Sequence, residues 1–199
     1  MATSDKYDRQ LRLWGASGQR ALQESKIVLI HATAVGTETL KNLVLPGIGS
    51  FHIYDDGSNH DAYNAGMIRR DNFFANYDSE QTSDVSRAQT AMEQLLELNP
   101  DCRGSFTHVP SLATGVDYSA VLTKEETTLV LCADLPSCPL LTISNICQER
   151  GIPLVICKSY GLIGSVRLQV ADHLVVDSRP DHVVPDLRLA PRPFATLNT

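Results

Sequence analysis

The segment 26–56, KIVLIHATAVGTETLKNLVLPGIGSFHIYDD, constrains the fold of this chain most strongly. Residues 27–30 are an apolar run with the length and composition of a buried parallel strand. Apolar residues then recur at helical spacing over 40–44, and a Pro-Gly pair ends that helix. A second strand is predicted at 51–54. The segment therefore predicts a βαβ unit.

The loop between the first strand and the helix departs from a dinucleotide-binding site. Such a site would have glycines at positions 31, 33 and 36, so that the backbone can approach the phosphates. Here the positions hold His31, Thr33 and Gly36, so only the glycine for close helix–strand packing is kept. Asp55, with Asp56 beside it, ends the second strand, where a carboxylate binds the ribose. We therefore predict the scaffold of a nucleotide site without its phosphate cradle.

The rest of the chain alternates helical and strand patterns. Helices are predicted at 5–24, 83–98 and 138–150, with a helical turn at 118–124, and strands at 105–109, 127–133, 153–158, 166–170 and 174–176. This alternation predicts an α/β, Rossmann-like, largely parallel doubly wound sheet with an N-terminal helix and a C-terminal β return. We assign 1–180 to this domain. Residues 181–199, a Pro-rich stretch, are interpreted as a linker or as the truncated continuation of a longer chain.

The N-terminal helix is predicted to bury one stripe of side chains, and Arg9, Arg12, Gln19 and Arg20 fall outside that stripe. The predicted stripe consists of Tyr7, Leu11, Trp14, Gly18, Ala21 and Leu22.

Composition narrows the classes of function. With 199 residues, 43% of them apolar, the chain can bury one α/β core. The net charge of −6 is spread out, so neither nucleic acid nor an anionic membrane is expected as a partner. The first ten residues lack the apolar core of a signal peptide, and the five cysteines form no C-x-x-C pair. These features predict a protein of the cytoplasm or the nucleus with reduced, catalytically idle thiols.

Two stretches carry a resemblance to a known family. KYDRQLRLWG, at 6–15, resembles the N-terminal signature of the activating enzymes of ubiquitin-like proteins. ATAVGTETLKNLVLPGIGSF, at 32–51, is similar more narrowly to the regulatory subunits of neddylation-activating enzymes. Further similarity lies in 87–88, 91–99, 152–164 and 186–189. The resemblance covers nearly the whole chain and weakens over 57–84 and 110–127.

The resemblance implies one half of an adenylating heterodimer built from two related folds, of the kind also found in sulfur-carrier-activating proteins. The catalytic subunit of such a pair binds ATP and Mg²⁺, adenylates the C-terminal glycine of the ubiquitin-like modifier and carries the thioester cysteine. The regulatory subunit keeps the fold without a working nucleotide site. The resemblance thus implies no cofactor and no metal bound by this chain, a catalytic subunit and a ubiquitin-like modifier as partners, and a natural subunit much longer than 199 residues.

The same resemblance suggests roles for single residues. Arg9 would reach the ATP phosphates of the catalytic subunit in trans, since a guanidinium is always charged and forks onto phosphate oxygens. Arg12 is expected to form a structural ion pair. In a working subunit an Asn-rich run and a lysine approach the nucleotide; here the run is replaced by 64–70, and Arg87 stands at the lysine position. Asp134 lies about one residue before the position of the magnesium-binding aspartate, so we interpret it as a turn or cap residue.

Several alternatives stay open from sequence. Arg9 could be an ordinary solvated arginine on an amphipathic helix. The chain could be a regulatory subunit for sumoylation, or a truncated module that binds the catalytic subunit without activating it. A self-sufficient adenylating homodimer would need an intact glycine loop and a magnesium aspartate, and a Rossmann oxidoreductase would need the glycines.

Overall fold

The computed structural model describes residues 6–57, 72–74 and 86–173. Within these ranges the chain forms six strands and five helices. The strands are β1 Lys26–Ile30, β2 Ser50–Asp55, β3 Arg103–His108, β4 Leu129–Ala133, β5 Leu154–Tyr160 and β6 Ile163–Gln169. The helices are α1 Asp8–Glu24, α2 Ala34–Val44, α3 Arg87–Leu98, α4 Tyr118–Val121 and α5 Ser137–Arg150.

The strands form one sheet in the order β3-β2-β1-β4-β5-β6. β1 to β5 run parallel, and β6 is antiparallel to β5. The sequence order reverses between β1 and β4, which is where open α/β sheets form a crevice beyond the carboxyl ends of their strands. The predicted α/β, largely parallel fold with a C-terminal β return is confirmed.

The β return differs in detail from the prediction. β6 begins at Ile163 and pairs with β5, and the two strands are joined by Gly161 and Leu162. Gly161 has a φ of 61°, a left-handed conformation that suits the tight turn of a hairpin. The strand predicted at 166–170 thus lies within β6, which begins three residues earlier and pairs with β5. Residues 174–176 and the stretch 181–199 lie outside the described residues.

Two apolar clusters cover the two faces of the sheet. One packs α2 and α3 against β1, β2 and β4, and it includes Phe74, which is 1% exposed. The other packs α4 and α5 against β1, β4 and β5. α5 ends at Arg150, and Gly151, with a φ of 64°, is its left-handed C-cap. No helix in the described part of the chain is long and apolar enough to span a membrane.

The predicted stripe on α1 is only partly correct. Gln19, which was expected to face outward, is 4% exposed, whereas Trp14 is 37% exposed and Ala21 is also exposed. Gly15 explains the difference, because its φ of 71° breaks the helix geometry and rotates the residues on either side out of phase. Gln19 accepts a hydrogen bond from Trp14 Nε1 at 3.1 Å and donates one to the Pro46 carbonyl at 3.0 Å.

α1 lies at the edge of the sheet where the strands begin. Gly49 N donates to Leu22 O at 3.1 Å and Ser50 N donates to Ser25 O at 3.0 Å, so the end of α1 is fixed to the chain that enters β2. This placement separates α1 from the crevice by the full length of the strands.

Candidate functional site

The crevice that a nucleotide would use lies at the carboxyl ends of β1, β2 and β4. His31 follows β1, Asp55 ends β2 and Asp134 follows β4. Parallel pairing of β1 with both neighbours brings these three positions to the same edge of the sheet. The three positions are therefore neighbours, and the contacts of each residue decide what that edge can bind.

His31 lies across the junction between β1 and β4. Its backbone N donates to Tyr54 O at 2.8 Å, and its Nδ1 lies 2.9 Å from the Ala133 carbonyl, to which a ring N–H donates. The φ of His31 is 78°, a left-handed conformation that glycine adopts without strain. The loop thus keeps a backbone turn suited to glycine, while the imidazole occupies space that the close approach of a phosphate requires.

Thr33 and Gly36 organise the start of α2. Thr33 is the N-cap, and its Oγ1 accepts a hydrogen bond from Gly36 N at 3.3 Å. One of the helix N-terminal amides that would face an anion is therefore satisfied by the chain itself. A Cβ on Gly36 would lie 2.7 Å from His31 O and 2.9 Å from Ala133 Cβ, so Gly36 has the close-packing role predicted for the third glycine.

Asp55, at the ribose position, is fully buried, and both of its carboxylate oxygens accept hydrogen bonds from the chain. Oδ1 accepts from Ala32 N at 2.8 Å and Oδ2 accepts from Gly57 N at 3.1 Å. Arg87 supplies two more hydrogen bonds, from Nε to Oδ2 at 2.9 Å and from Nη2 to Oδ1 at 2.7 Å. A carboxylate has about four acceptor positions, so these four donors leave none for a ribose hydroxyl.

Arg87 holds the position where a working subunit is expected to have a nucleotide-binding lysine. Its side chain is only 14% exposed and makes a bidentate pair with Asp55. This fork geometry requires a guanidinium and cannot be reproduced by a lysine. The side chains at the ribose-binding position and at the lysine position, Asp55 and Arg87, therefore bind each other and not a nucleotide.

Asn72, which is not among the site residues predicted from sequence, holds the same loop through further hydrogen bonds. Its side chain is buried, donates from Nδ2 to Ala32 O at 3.1 Å and lies 3.0 Å from Thr37 Oγ1, which donates to Oδ1. Phe74 N also donates to Oδ1, at 3.1 Å. The available signal was an asparagine, able to donate and accept, directly before two aromatic residues. The replaced run at 64–70 lies outside the described residues.

The remaining acidic residues of this edge are also used locally. Asp134, at a φ of 50°, accepts from Ser159 N at 2.8 Å, so it sits in a turn that ties β4 to β5. Asp56 accepts from Leu112 N at 3.0 Å. His31, Asp55 and Asp56 each place one potential ligand atom within 4.8 Å of the others. The guanidinium of Arg87 already neutralises Asp55, so the donor set is poorly suited to a cation.

Arg9 lies far from this crevice. It is exposed in the first turn of α1, and it makes no hydrogen bond or ion pair with another described residue. Arg12, by contrast, pairs with Asp8 at 2.9 Å, as an i,i+4 ion pair. The start of α1 is also fixed where the strands begin, because the Tyr7 hydroxyl bonds to Asn99 and Asp101 in the loop before β3. Strands of five or six residues separate the two edges of the sheet by roughly 16–20 Å. Arg9 therefore cannot reach the crevice of its own chain.

Comparisons with known proteins identify the family of the chain. The ThiF family model matches residues 7–177. The NEDD8-activating enzyme E1 regulatory subunit of Xenopus laevis is 44% identical over 193 residues, which are 96% of this chain and 34% of that protein. The corresponding Drosophila melanogaster protein is 39% identical over 197 residues, 98% of this chain and 35% of its own length.

A more distant relative belongs to a second modifier system. SUMO-activating enzyme subunit 1 of Xenopus laevis is 24% identical over 173 residues, which are 87% of this chain and 46% of that protein. The chain thus spans about a third of the length of the regulatory-subunit relatives that it matches. The family match covers both the βαβ unit and the β return described above, and the chain accordingly belongs to the ThiF family.

Proposed function

We propose that this chain is part of the regulatory subunit of a heterodimeric activating enzyme for NEDD8, and that it supplies Arg9 to the ATP site of the catalytic subunit. The observation that carries the proposal is the Asp55–Arg87 pair, which fills the ribose position of the crevice from within the chain. The relatives that share 44% and 39% identity with the chain are named as regulatory subunits of this enzyme. The cytoplasm or the nucleus is the proposed location.

The residues of the crevice do not fit an adenine nucleotide. Asp55 has no acceptor position left for a sugar hydroxyl, and the His31 imidazole lies where phosphates would need open space. In this proposal ATP and Mg²⁺ are bound by the catalytic subunit, and this chain binds neither. Titration of the isolated chain with MgATP in a calorimeter should give no binding at millimolar ATP. A site with micromolar affinity would overturn this part of the proposal.

Arg9 acts on a site outside its own chain because it lies at the opposite edge of the sheet. In the complex its guanidinium donates to phosphate oxygens of ATP and stabilises the negative charge that develops as the modifier carboxylate attacks the α-phosphate and pyrophosphate leaves. A hydrogen bond to a charged group contributes about 1.5–3 kcal/mol. Loss of such a contact in the transition state corresponds to a rate about 10- to 150-fold lower.

The test uses the full-length regulatory subunit assembled with its catalytic subunit. Arg9→Ala should leave the heterodimer intact and lower modifier-dependent ATP–pyrophosphate exchange by the factor given above. Arg12→Ala is the matched control, since Arg12 is a neighbouring arginine that is already paired with Asp8. Exchange at the normal rate in the Arg9→Ala complex would overturn the role of Arg9.

A second candidate is a regulatory subunit for SUMO, which the 24% identical relative supports. The same exchange assay separates the two candidates when NEDD8 and SUMO are offered to complexes with each catalytic subunit. Exchange with NEDD8 alone supports the first proposal. A chain that binds the catalytic subunit without supporting exchange would instead be an interaction module.

A further inference from the structure

The residue before α1 is a buried tyrosine with polar partners. Tyr7 is 3% exposed, and its hydroxyl donates to Asp101 Oδ2 at 3.3 Å and accepts from Asn99 Nδ2 at 3.1 Å. Its ring lies against Gly47, where a Cβ would come within 2.6 Å of the phenol oxygen. Tyr7 therefore fixes the start of α1 to the loops that precede β2 and β3.

The partners of Tyr7 are themselves held in place. Asn99 is 1% exposed, and its Nδ2 also donates to Val44 O at 2.7 Å, at the end of α2. Lys6 Nζ donates to Asn99 Oδ1 at 2.5 Å and to Asp101 Oδ2 at 2.8 Å. The phenol thus joins a network in which Asn99 and Asp101 belong to the loop before β3 and Lys6 lies next to Tyr7 in the chain.

The segment of α1 that carries Arg9 depends on such anchors. Gly15 interrupts the helix, so residues 8–14 form about two turns on their own. A helix this short has little stability in isolation. Its far end is held by the hydrogen bond from Trp14 to Gln19, and its near end by Tyr7.

We infer that Tyr7 is a positioning residue for Arg9: its hydroxyl, bound to Asn99 and Asp101, sets the direction in which the Arg9 side chain leaves the domain toward the catalytic subunit. The inference rests on the proposed function of Arg9. Arg9 lies two residues after Tyr7, so a shift of the anchored turn moves the guanidinium directly.

The experiment measures ATP–pyrophosphate exchange in the full-length heterodimer. Tyr7→Phe keeps the ring on Gly47 and removes the hydroxyl. We expect the heterodimer to form normally and kcat for exchange to fall about 2- to 10-fold, with a smaller change in KM for ATP. Asp101→Ala, an exposed change that removes one partner of the phenol, should lower kcat in the same direction.

Tyr118→Phe is the matched control. Tyr118 is also buried, and its hydroxyl donates to Leu112 O at 2.7 Å on the other side of the sheet. Loss of the Tyr118 hydroxyl should lower the free energy of unfolding about as much as loss of the Tyr7 hydroxyl, and it should leave the rate of exchange unchanged. An equal fall of kcat in the Tyr7→Phe and Tyr118→Phe complexes would reduce Tyr7 to a structural residue and overturn the inference.

A double-mutant cycle with Arg9→Ala decides whether Tyr7 acts through Arg9. If it does, adding Tyr7→Phe to the Arg9→Ala complex changes kcat no further, because residues that act as a unit are not additive. Additive losses would overturn the inference while leaving the proposed function intact. A normal rate in the Arg9→Ala complex alone would overturn the proposed function and the inference with it.

Discussion

The Arg87 guanidinium lies against the Asp55 carboxylate with two of its nitrogens, Nε at 2.9 Å from Oδ2 and Nη2 at 2.7 Å from Oδ1. This pair joins the end of β2 to the first residue of α3. At the same position a working nucleotide site needs a carboxylate with free acceptor positions. An acidic residue at this position can therefore bind either a ligand or another side chain, and here Asp55 joins β2 to α3.

Arg87→Ala should destabilise the domain by about 3–5 kcal/mol, because it leaves the buried Asp55 charge without its cation. Urea unfolding of the purified chain at pH 7, followed by circular dichroism, measures the loss. Arg87→Lys should recover only part of it, since an ammonium keeps the charge and loses the fork.

Arg12→Ala is the control for this measurement. The Arg12–Asp8 pair is exposed, so its removal should cost less than about 1 kcal/mol. If Arg87→Ala and Arg12→Ala unfolded at the same urea concentration, the buried pair would not be what stabilises the crevice.

Gly36→Ala should also destabilise the domain, by about 1–3 kcal/mol, through overpacking. The added Cβ would meet the His31 carbonyl at 2.7 Å and Ala133 Cβ at 2.9 Å, and both neighbours belong to the packed edge of the sheet. The measurement is again the urea midpoint. Gly164→Ala is the matched control, because a Cβ there meets only Lys158 O, at 3.4 Å. A Gly36→Ala chain as stable as the Gly164→Ala chain would contradict the packing role.

The βαβ unit and the position of Asp55 could be predicted from sequence because they depend on local periodicity. The pairing of Asp55 with Arg87 could not, since the two residues are 32 positions apart and no local pattern links them. Asn72 was missed for a related reason, because its partners Ala32 and Thr37 lie in the loop and helix that follow β1. Through these tertiary contacts, side chains of the chain itself occupy the positions at which a nucleotide would bind.

The buried face of α1 could be predicted only in part from the sequence, for a different reason. A hydrophobic stripe predicts burial only while the helix keeps its period, and Gly15 breaks that period. Gln19 moves into the interior as a result, and Trp14 partly out of it. A glycine inside an amphipathic pattern was the visible signal, but the direction of the kink depends on packing.

The thiols should differ sharply in reactivity. Cys138 is the exposed cysteine of the five, and the other four are buried. Burial raises the pKa of the Cys147 thiol to about 11, and burial likewise raises the pKa of the Cys132 thiol far above its usual range. At pH 8 those two groups carry almost no thiolate, which is the reactive form.

We therefore expect an aromatic disulfide reagent to modify one thiol per folded chain rapidly at pH 8, and the others only after unfolding in urea. Cys138→Ser should abolish the rapid phase and leave the urea-exposed total one lower. A rapid phase that persists in the Cys138→Ser chain would show that a buried thiol is accessible.

His52 gives the domain a pH dependence whose sign follows from its burial. Its Nδ1 lies 2.7 Å from Ser105 Oγ and its Nε2 lies 2.9 Å from Thr107 Oγ1, so hydroxyls satisfy the neutral ring. Burial lowers the pKa of His52 below 6.5, the value expected in the unfolded chain. Between the two pKa values the unfolded state binds more protons, so the free energy of unfolding rises with pH in the window just below 6.5 and falls as acid is added. His52→Gln, measured by urea unfolding from pH 5 to pH 7.5, should flatten this part of the profile. If the variant kept the full slope of the parent chain, the proton uptake would have to belong to another group.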